Sequence, residues 1–288
     1  MIEYEYLKPK NLEEVFSYLK SFGEKATLIA GGTDVMVNIR NKKIAPEALI
    51  SLRNLEELAY IKKGEDAYHI GALTTHRMLE TSSLVARELS ALHDGASQVG
   101  SVQIRNVATI GGNICNAAPS ADTAGPLLAL DAAVVLKGPN GSRKVPLTEF
   151  FTGPSQTVRA HDEVAVEFEI PLRMGEFGSA YHKHARRKAM DLPILGVAVS
   201  LEMEGETVKD ARIALSVAAP TPIRAVKAEE FLRGKKGEEE VFEEAGKIAA
   251  EEASPRDSLR GKAWYRKEII ATFVPKMAFR AMERLKNR

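Results

Sequence analysis

Cysteine is nearly missing from this chain of 288 residues, which holds Cys115 alone. A lone thiol closes no intrachain disulfide, and it cannot by itself hold an iron–sulfur cluster or a thiolate zinc site. Long apolar runs are missing as well. No stretch reaches the roughly 18 residues that a membrane-spanning helix needs, so no span is expected. Neither sign of charge dominates: 40 Lys and Arg stand against 39 Asp and Glu, a net charge of +1. A protein that grips a phosphate backbone carries a basic face, so nucleic acid is not expected as a partner. Glycine (21) and proline (13) are near average use, which excludes collagen-like and low-complexity chains. The start, Met1-Ile2-Glu3-Tyr4-Glu5, lacks the basic-then-apolar pattern of a signal peptide, and a cytoplasmic location is expected. The common phosphate signatures are missing too: neither G-x-x-x-x-G-K-[ST] nor a G-x-G-x-x-G with a well-placed acid occurs.

What is present fits a globular protein of about two domains, at roughly 100–200 residues each. Hydrophobic residues make up 44% and charged residues 27%, enough to bury a core. Residues 11–22 put Leu12, Val15, Phe16 and Leu19 on one helical stripe. Asn11 and Glu14 suggest a capping box there, and Gly23 a stop. The apolar run 26–30 reads as a strand ending in Gly31-Gly32, and 49–52 as another strand. Residues 60–62 and 68–70 flank a polar turn and predict a hairpin. The stretch 74–98 is helical in pattern. A strand-like run, 107–110, ends at Gly111-Gly112, and Ser120 or Asp122 is expected to cap a helix through Leu127, Leu128 and Leu130. A second hairpin is expected around 139–142, an alternating strand over 164–170, and an interdomain linker at 173–178. Beyond it come three strand-like runs (179–186, 194–203, 208–217) and then helices at 238–252 and 262–286, the last kinked at Pro275. Strands followed by helices predict an antiparallel sheet covered by helices, an α+β domain.

The two glycine pairs carry the most chemistry. Glycine permits close backbone approach and positive φ, and successive amides in such a turn form a concave anion site suited to a pyrophosphate. Each turn alone is more often an ordinary tight turn. Other side chains have blander readings. His182 and His184 share one strand face but have no third metal ligand near them in sequence. His76 reads as a structural, hydrogen-bonding histidine, and Cys115 as a small buried hydrophobe. The run Arg186-Arg187-Lys188 is either a solvated face or a docking surface for a partner.

Four segments go further: LIAGGTDVMVNIR (28–40), IGALTTH (70–76), VGSVQIRNVATIGGNICNAAPSADTAGPLLAL (99–130) and YHKHARRKAMD (181–191). Together they resemble the FAD-binding subunit of the molybdenum hydroxylases, the family of xanthine, carbon monoxide and nicotinate dehydrogenases. The resemblance spans essentially the whole chain. It implies a two-subdomain FAD-binding domain of the PCMH (vanillyl-alcohol-oxidase-like) type, over 1–58 and 59–175, and a C-terminal α+β domain over 176–288. It implies FAD on two glycine loops. The first is Leu28, Ile29, Ala30, Gly31, Gly32, Thr33, Asp34 and Val35; the second is Thr109, Ile110, Gly111, Gly112 and Asn113, with Ser101 just upstream. Asp122 matches a cofactor-contacting position whose alternative role is helix capping. Lys183 resembles a lysine that reaches the flavin, with His182 as competitor for that position and a solvated strand lysine as the other reading, and Asp191-Leu192 falls near the ring.

The resemblance further implies an oxidoreductase subunit with no catalytic residue and no metal of its own. Electrons would come from a [2Fe–2S] small subunit and go to an external acceptor, with molybdopterin on a large subunit, in a dimer of heterotrimers. Two other readings stay open at this point: a self-sufficient FAD-dependent reductase on the same scaffold, and a non-catalytic assembly subunit.

Overall fold

The computed structural model describes residues 3–173 and 175–286. The chain starts in a small parallel sheet with strand order Glu5–Leu7, Ala48–Ser51, Ala26–Ile29. Parallel pairing needs crossover connections; the helices Leu12–Phe22 and Val35–Arg40 lie in them. The first buries Leu12, Val15 and Leu19. Asn11 caps it, its side chain accepting from the Glu14 amide at 2.9 Å. The Glu14 carboxylate returns to the amide of Lys10 at 2.8 Å, one residue before the cap, so the expected box is shifted at its second bond. The helix Val35–Arg40, hidden in sequence by its shortness, begins after Thr33 and Asp34, just past the first glycine pair.

A five-stranded antiparallel sheet comes next, in the order Ile61–Lys63, Ala67–Gly71, Val164–Pro171, Ala133–Gly138, Gly141–Pro146. Both expected hairpins are here. Between Gly71 and Ala133 the chain leaves the sheet and forms short helices. The helical stretch expected over 74–98 is three pieces, His76–Thr81, Ser83–Glu88 and Ser90–Ser97. Thr75 opens the first piece by accepting from the Met78 amide, and Ser82 makes the first break by accepting from the Val85 amide; the third piece starts at Leu89 without a side-chain cap. The strand expected over 107–110 is absent. Thr109 instead caps the helix Ile110–Cys115, which places Gly111 and Gly112 in a first helical turn rather than after a strand. Neither Ser120 nor Asp122 caps the next helix, Ala124–Ala129; Thr123 stands at its N-cap without a side-chain bond.

The C-terminal part is a four-stranded antiparallel meander of Glu176–His184, Leu195–Glu204, Thr207–Ser216 and Ile223–Arg224. Alternation along the second strand decides its two faces. Leu195, Val197, Val199 and Leu201 meet the helices Glu239–Glu252 and Ala263–Lys286, while Ala198 joins the core of the five-stranded region with Tyr181 and Phe177. The expected linker is largely strand from Glu176 on. Its Gly178 is a contact residue, since a Cβ there would lie 2.1 Å from the Ala281 carbonyl oxygen; Met174 falls outside the described residues. Pro275 sits inside Ala263–Lys286 and cannot donate to the Ala271 carbonyl. Gly246 of the neighbouring helix faces that carbonyl, at 2.7 Å from where its Cβ would be. The fold is mixed α+β, and the helix Val226–Leu232 and strand Ile223–Arg224 are elements the sequence pattern did not reveal.

Candidate functional site

A cavity of about 740 Å³ lies where the parallel sheet, the helical insertion and the loop after Glu176–His184 meet. That is within the range of a cofactor site. From the first glycine segment Leu28, Ala30, Gly31, Gly32, Thr33, Asp34 and Val35 line it; from the second, Thr109, Gly111, Gly112 and Asn113. Ile29 and Ile110 point into the core instead, 7% and 0% exposed.

The two segments differ in what they offer. Among the described residues, no acceptor takes the amides of Gly31, Gly32, Thr33, Asp34 or Val35. Five consecutive free N–H groups beside a cavity form an anion cradle. In the second segment the four amides after Thr109 are already used. Ile110 donates to Thr74 O, Gly111 to Ala72 O, Gly112 to Thr109 Oγ1 and Asn113 to Thr109 O, at 2.9–3.1 Å. Its glycines serve closeness: a Cβ on Gly111 would lie 2.6 Å from Ala72 O. Gly32, at φ +74°, is the one loop glycine here that needs the left-handed region. Asn113 is oriented by the Thr123 hydroxyl, which donates to its Oδ1 at 2.6 Å.

Asp122 and Lys183 meet. The Lys183 ammonium donates to Asp122 Oδ2 at 2.7 Å and to Gln98 O at 3.0 Å, and the Tyr181 hydroxyl reaches Asp122 Oδ1 at 3.3 Å. Both side chains are buried, so neither the capping role for Asp122 nor the solvated role for Lys183 describes them. Asp122 lines the cavity and Lys183 stands behind it. Burial pushes the Asp122 carboxyl up to about 6, against the pull of Lys183 and Tyr181. Ser101 is outside the lining and caps Val102–Arg105 through a bond to the Ile104 amide.

His76 lines the cavity fully buried, yet neither ring nitrogen has a partner. This overturns the hydrogen-bonding role expected of it. Burial, helped by the Arg105 charge, lowers its pKa to about 4, so it is a neutral imidazole. Cys115 lines the cavity too, and burial raises its pKa. His182 and His184 do not form a metal pair: His182 stacks on Phe273 at 3.9 Å and His184 bonds the Tyr265 hydroxyl at 3.1 Å.

Other lining residues escaped sequence reasoning. Arg159 and His161 reach the wall from the segment before Val164–Pro171, because the Ser155 amide ties that segment to Ala117 O at 2.9 Å. Arg159 is the sole Lys or Arg among the lining residues, beside Asp34, Asp122 and Asp191. Met190 and Leu192 flank Asp191 on the strap from the C-terminal sheet, and the Met190 amide donates to Gly100 O across the cavity at 3.1 Å.

A cavity between a parallel and an antiparallel subdomain, with a run of free amides and a covering domain, defines a class: a two-lobed dinucleotide-binding protein. The free amides and the glycine contacts fit the pyrophosphate of such a cofactor. Residues 2–173 match the family model of the FAD binding domain in molybdopterin dehydrogenase, and residues 180–282 that of the CO dehydrogenase flavoprotein C-terminal domain. The chain belongs to this family of FAD-binding subunits of molybdenum hydroxylases. It is 38% identical over 260 residues to the xanthine dehydrogenase FAD-binding subunit of Escherichia coli, covering 90% of this chain and 89% of that one. It is 31% identical to the nicotinate dehydrogenase FAD-subunit of Eubacterium barkeri, covering 100% and 99%. A solved carbon monoxide dehydrogenase from Hydrogenophaga pseudoflava superimposes with a TM-score of 0.94 at 34% identity, covering 98% of each chain.

Proposed function

We propose that this chain is the electron exit of a heteromeric molybdenum hydroxylase, docked to a [2Fe–2S] small subunit and a molybdopterin large subunit. The assembly is a dimer of heterotrimers in the cytoplasm. Bound FAD supplies the redox chemistry, taking electrons from the iron–sulfur subunit and delivering them to an external acceptor.

The protein's part is to bind, orient and shield. The amides of Gly31–Val35 would hold the pyrophosphate, and this run of unpartnered donors is the observation that carries the reading. Thr109–Asn113 would close on it from the opposite side, Gly111 keeping the backbones near. Asp122 would accept from cofactor hydroxyls, its charge sustained by Lys183. Lys183 would add positive charge near the ring from behind that carboxylate. The strap carrying Met190–Leu192 would exclude water from the same cavity.

Two measurements test this. Denaturation should release about one intact, noncovalent FAD per chain; flavin that stays attached, or FMN in its place, contradicts the site. The isolated chain should keep FAD yet show no substrate-dependent bleaching of the flavin under anaerobic conditions, and adding both partner subunits should restore bleaching. Rapid bleaching of the isolated chain would favour a self-sufficient flavoenzyme.

A further inference from the structure

The outer face of the five-stranded sheet carries a cluster of metal-ligating side chains clear of the cofactor cavity. Alternation along Val164–Pro171 sends Phe168 and Ile170 into the core and turns Glu167 and Glu169 to the opposite face. Pairing with Ala67–Gly71 sets His69 directly opposite Glu169, and Gly71 opposite Glu167. His69, Glu167 and Glu169 thus bring one imidazole nitrogen and two carboxylate oxygens within 4.8 Å of one another. All three side chains are partly sheltered from water.

Two bare glycines shape the cluster. A Cβ on Gly71 would lie 2.9 Å from the Tyr60 ring; without it the phenol lies over the strand and donates to Glu167 Oε2. Burial and that carboxylate raise the Tyr60 pKa, so the phenol keeps its proton and orients Glu167. A Cβ on Gly64 would lie 2.9 Å from His69 Nε2. The other ring nitrogen, Nδ1, is the one turned to the carboxylates, 3.1 Å from Glu167 Oε1.

Charge balance here is incomplete. Lys144 donates to Glu169 Oε2 at 2.5 Å, but among the described residues no Lys or Arg pairs with Glu167. The Lys144 side chain is 59% exposed, and an ion pair so open to water is weakly held. One imidazole with two carboxylates is a donor set that zinc accepts. Ligand atoms around one zinc ion lie at most about 4.2 Å apart, twice a bond of about 2.1 Å. The spread in this cluster closes to that by a shift of about half an ångström once Lys144 releases Glu169.

We propose that His69 Nδ1, Glu167 and Glu169 form a zinc site, with water completing the coordination sphere and Tyr60 supporting Glu167 from outside it. Lys144 competes with the ion for Glu169. None of these residues lines the cofactor cavity, but Val164 and Ala165 of the same strand do. The ion therefore ties together two strands of the sheet that carries part of the cavity wall. The site goes beyond the electron-exit reading and does not depend on it.

The test uses the FAD-loaded chain, stripped of metal by a chelator and titrated calorimetrically with Zn2+. The parent should bind about one ion per chain. His69→Gln and Glu169→Gln should each weaken binding about tenfold or more, whereas Lys144→Met removes the competitor and should tighten it. Flavin content per chain should match the parent's in every variant, which shows that each has folded. A parent that binds no Zn2+, or binding that His69→Gln and Glu169→Gln leave unaltered, overturns the proposal.

Discussion

Gly31 rests against the carbonyl of Val107: a Cβ on Gly31 would lie 2.1 Å from that oxygen and 2.8 Å from Ala108 Cα. The first glycine segment and the lead-in to the second are thus in backbone contact, and the cavity wall is continuous only because Gly31 has no side chain. Gly31→Ala must push these segments apart. Overpacking of this kind costs about 1–3 kcal/mol, and FAD content should fall with it. Gly32→Ala meets mainly the movable Ile29 side chain, at 3.1 Å, and carries only the strain of φ +74°. Thermal denaturation and flavin content of the two variants should rank Gly31→Ala as the worse.

Asp122 makes a contrast between two roles measurable. Removing it strands the buried Lys183 charge, which should cost about 3 kcal/mol of stability. Asp122→Ser should not recover the loss, because the helix Ala124–Ala129 starts from Thr123 and needs no cap from position 122. The double variant Asp122→Asn with Lys183→Met should recover most of it. Urea midpoints read all three, and full rescue by serine would restore the capping role.

Arg159 is the cation of a cavity that also holds Asp34, Asp122 and Asp191. Its Nη1 donates to the carbonyls of Ala160 and Glu163, which fixes the side chain at the wall. A dianionic pyrophosphate entering beside three carboxylates gains from that charge. Arg159→Gln should weaken FAD binding about tenfold in fluorescence titrations of the apoprotein. The difference from the parent should shrink with added salt. Equal affinities at low salt would remove Arg159 from the site.

His76 should leave a mark on the pH dependence of the apoprotein. Its folded pKa of about 4 lies below the ordinary value of 6.5, so the unfolded chain binds the proton more readily between the two. Stability is therefore whole above pH 6.5 and is lost as pH falls toward 4. By pH 5 the loss is roughly 2 kcal/mol. The raised carboxyl of Asp122 acts in the opposite direction, so the parent is best compared with His76→Gln, in which that contribution cancels. The parent's disadvantage relative to the variant should grow by roughly 2 kcal/mol from pH 7.5 to pH 5. A constant difference in chemical denaturation would show that His76 does not titrate in this range.

Much of the fold was legible because its signals are local. Asn11 and Gly23 bound the first helix by side-chain and φ preferences that act within a few residues. The strand Val164–Pro171 shows its two faces by alternation. The run 107–110 misled for a local reason as well: Val107 and Ile110 favour extended backbone. The Thr109 hydroxyl bond to Gly112 and the amide bonds to Thr74 and Ala72 turned it into a helix start instead. Gly178 falls in the stretch that reads as an interdomain linker, whereas the long C-terminal helix needs it bare.

What the sequence determined by itself was the order of elements, the two glycine turns and, through its motifs, the kind of cofactor. The first two follow from periodicity, caps and backbone freedom, all set by neighbours along the chain; the third follows only from the motifs' resemblance to a family. The tertiary structure alone decided which amides remain free. It also paired Asp122 with Lys183 across 61 positions, and brought Arg159 to the cavity through the Ser155–Ala117 bond. Such facts depend on which distant groups consume a donor or a charge, and burial sets their energy by withdrawing water as the competing partner.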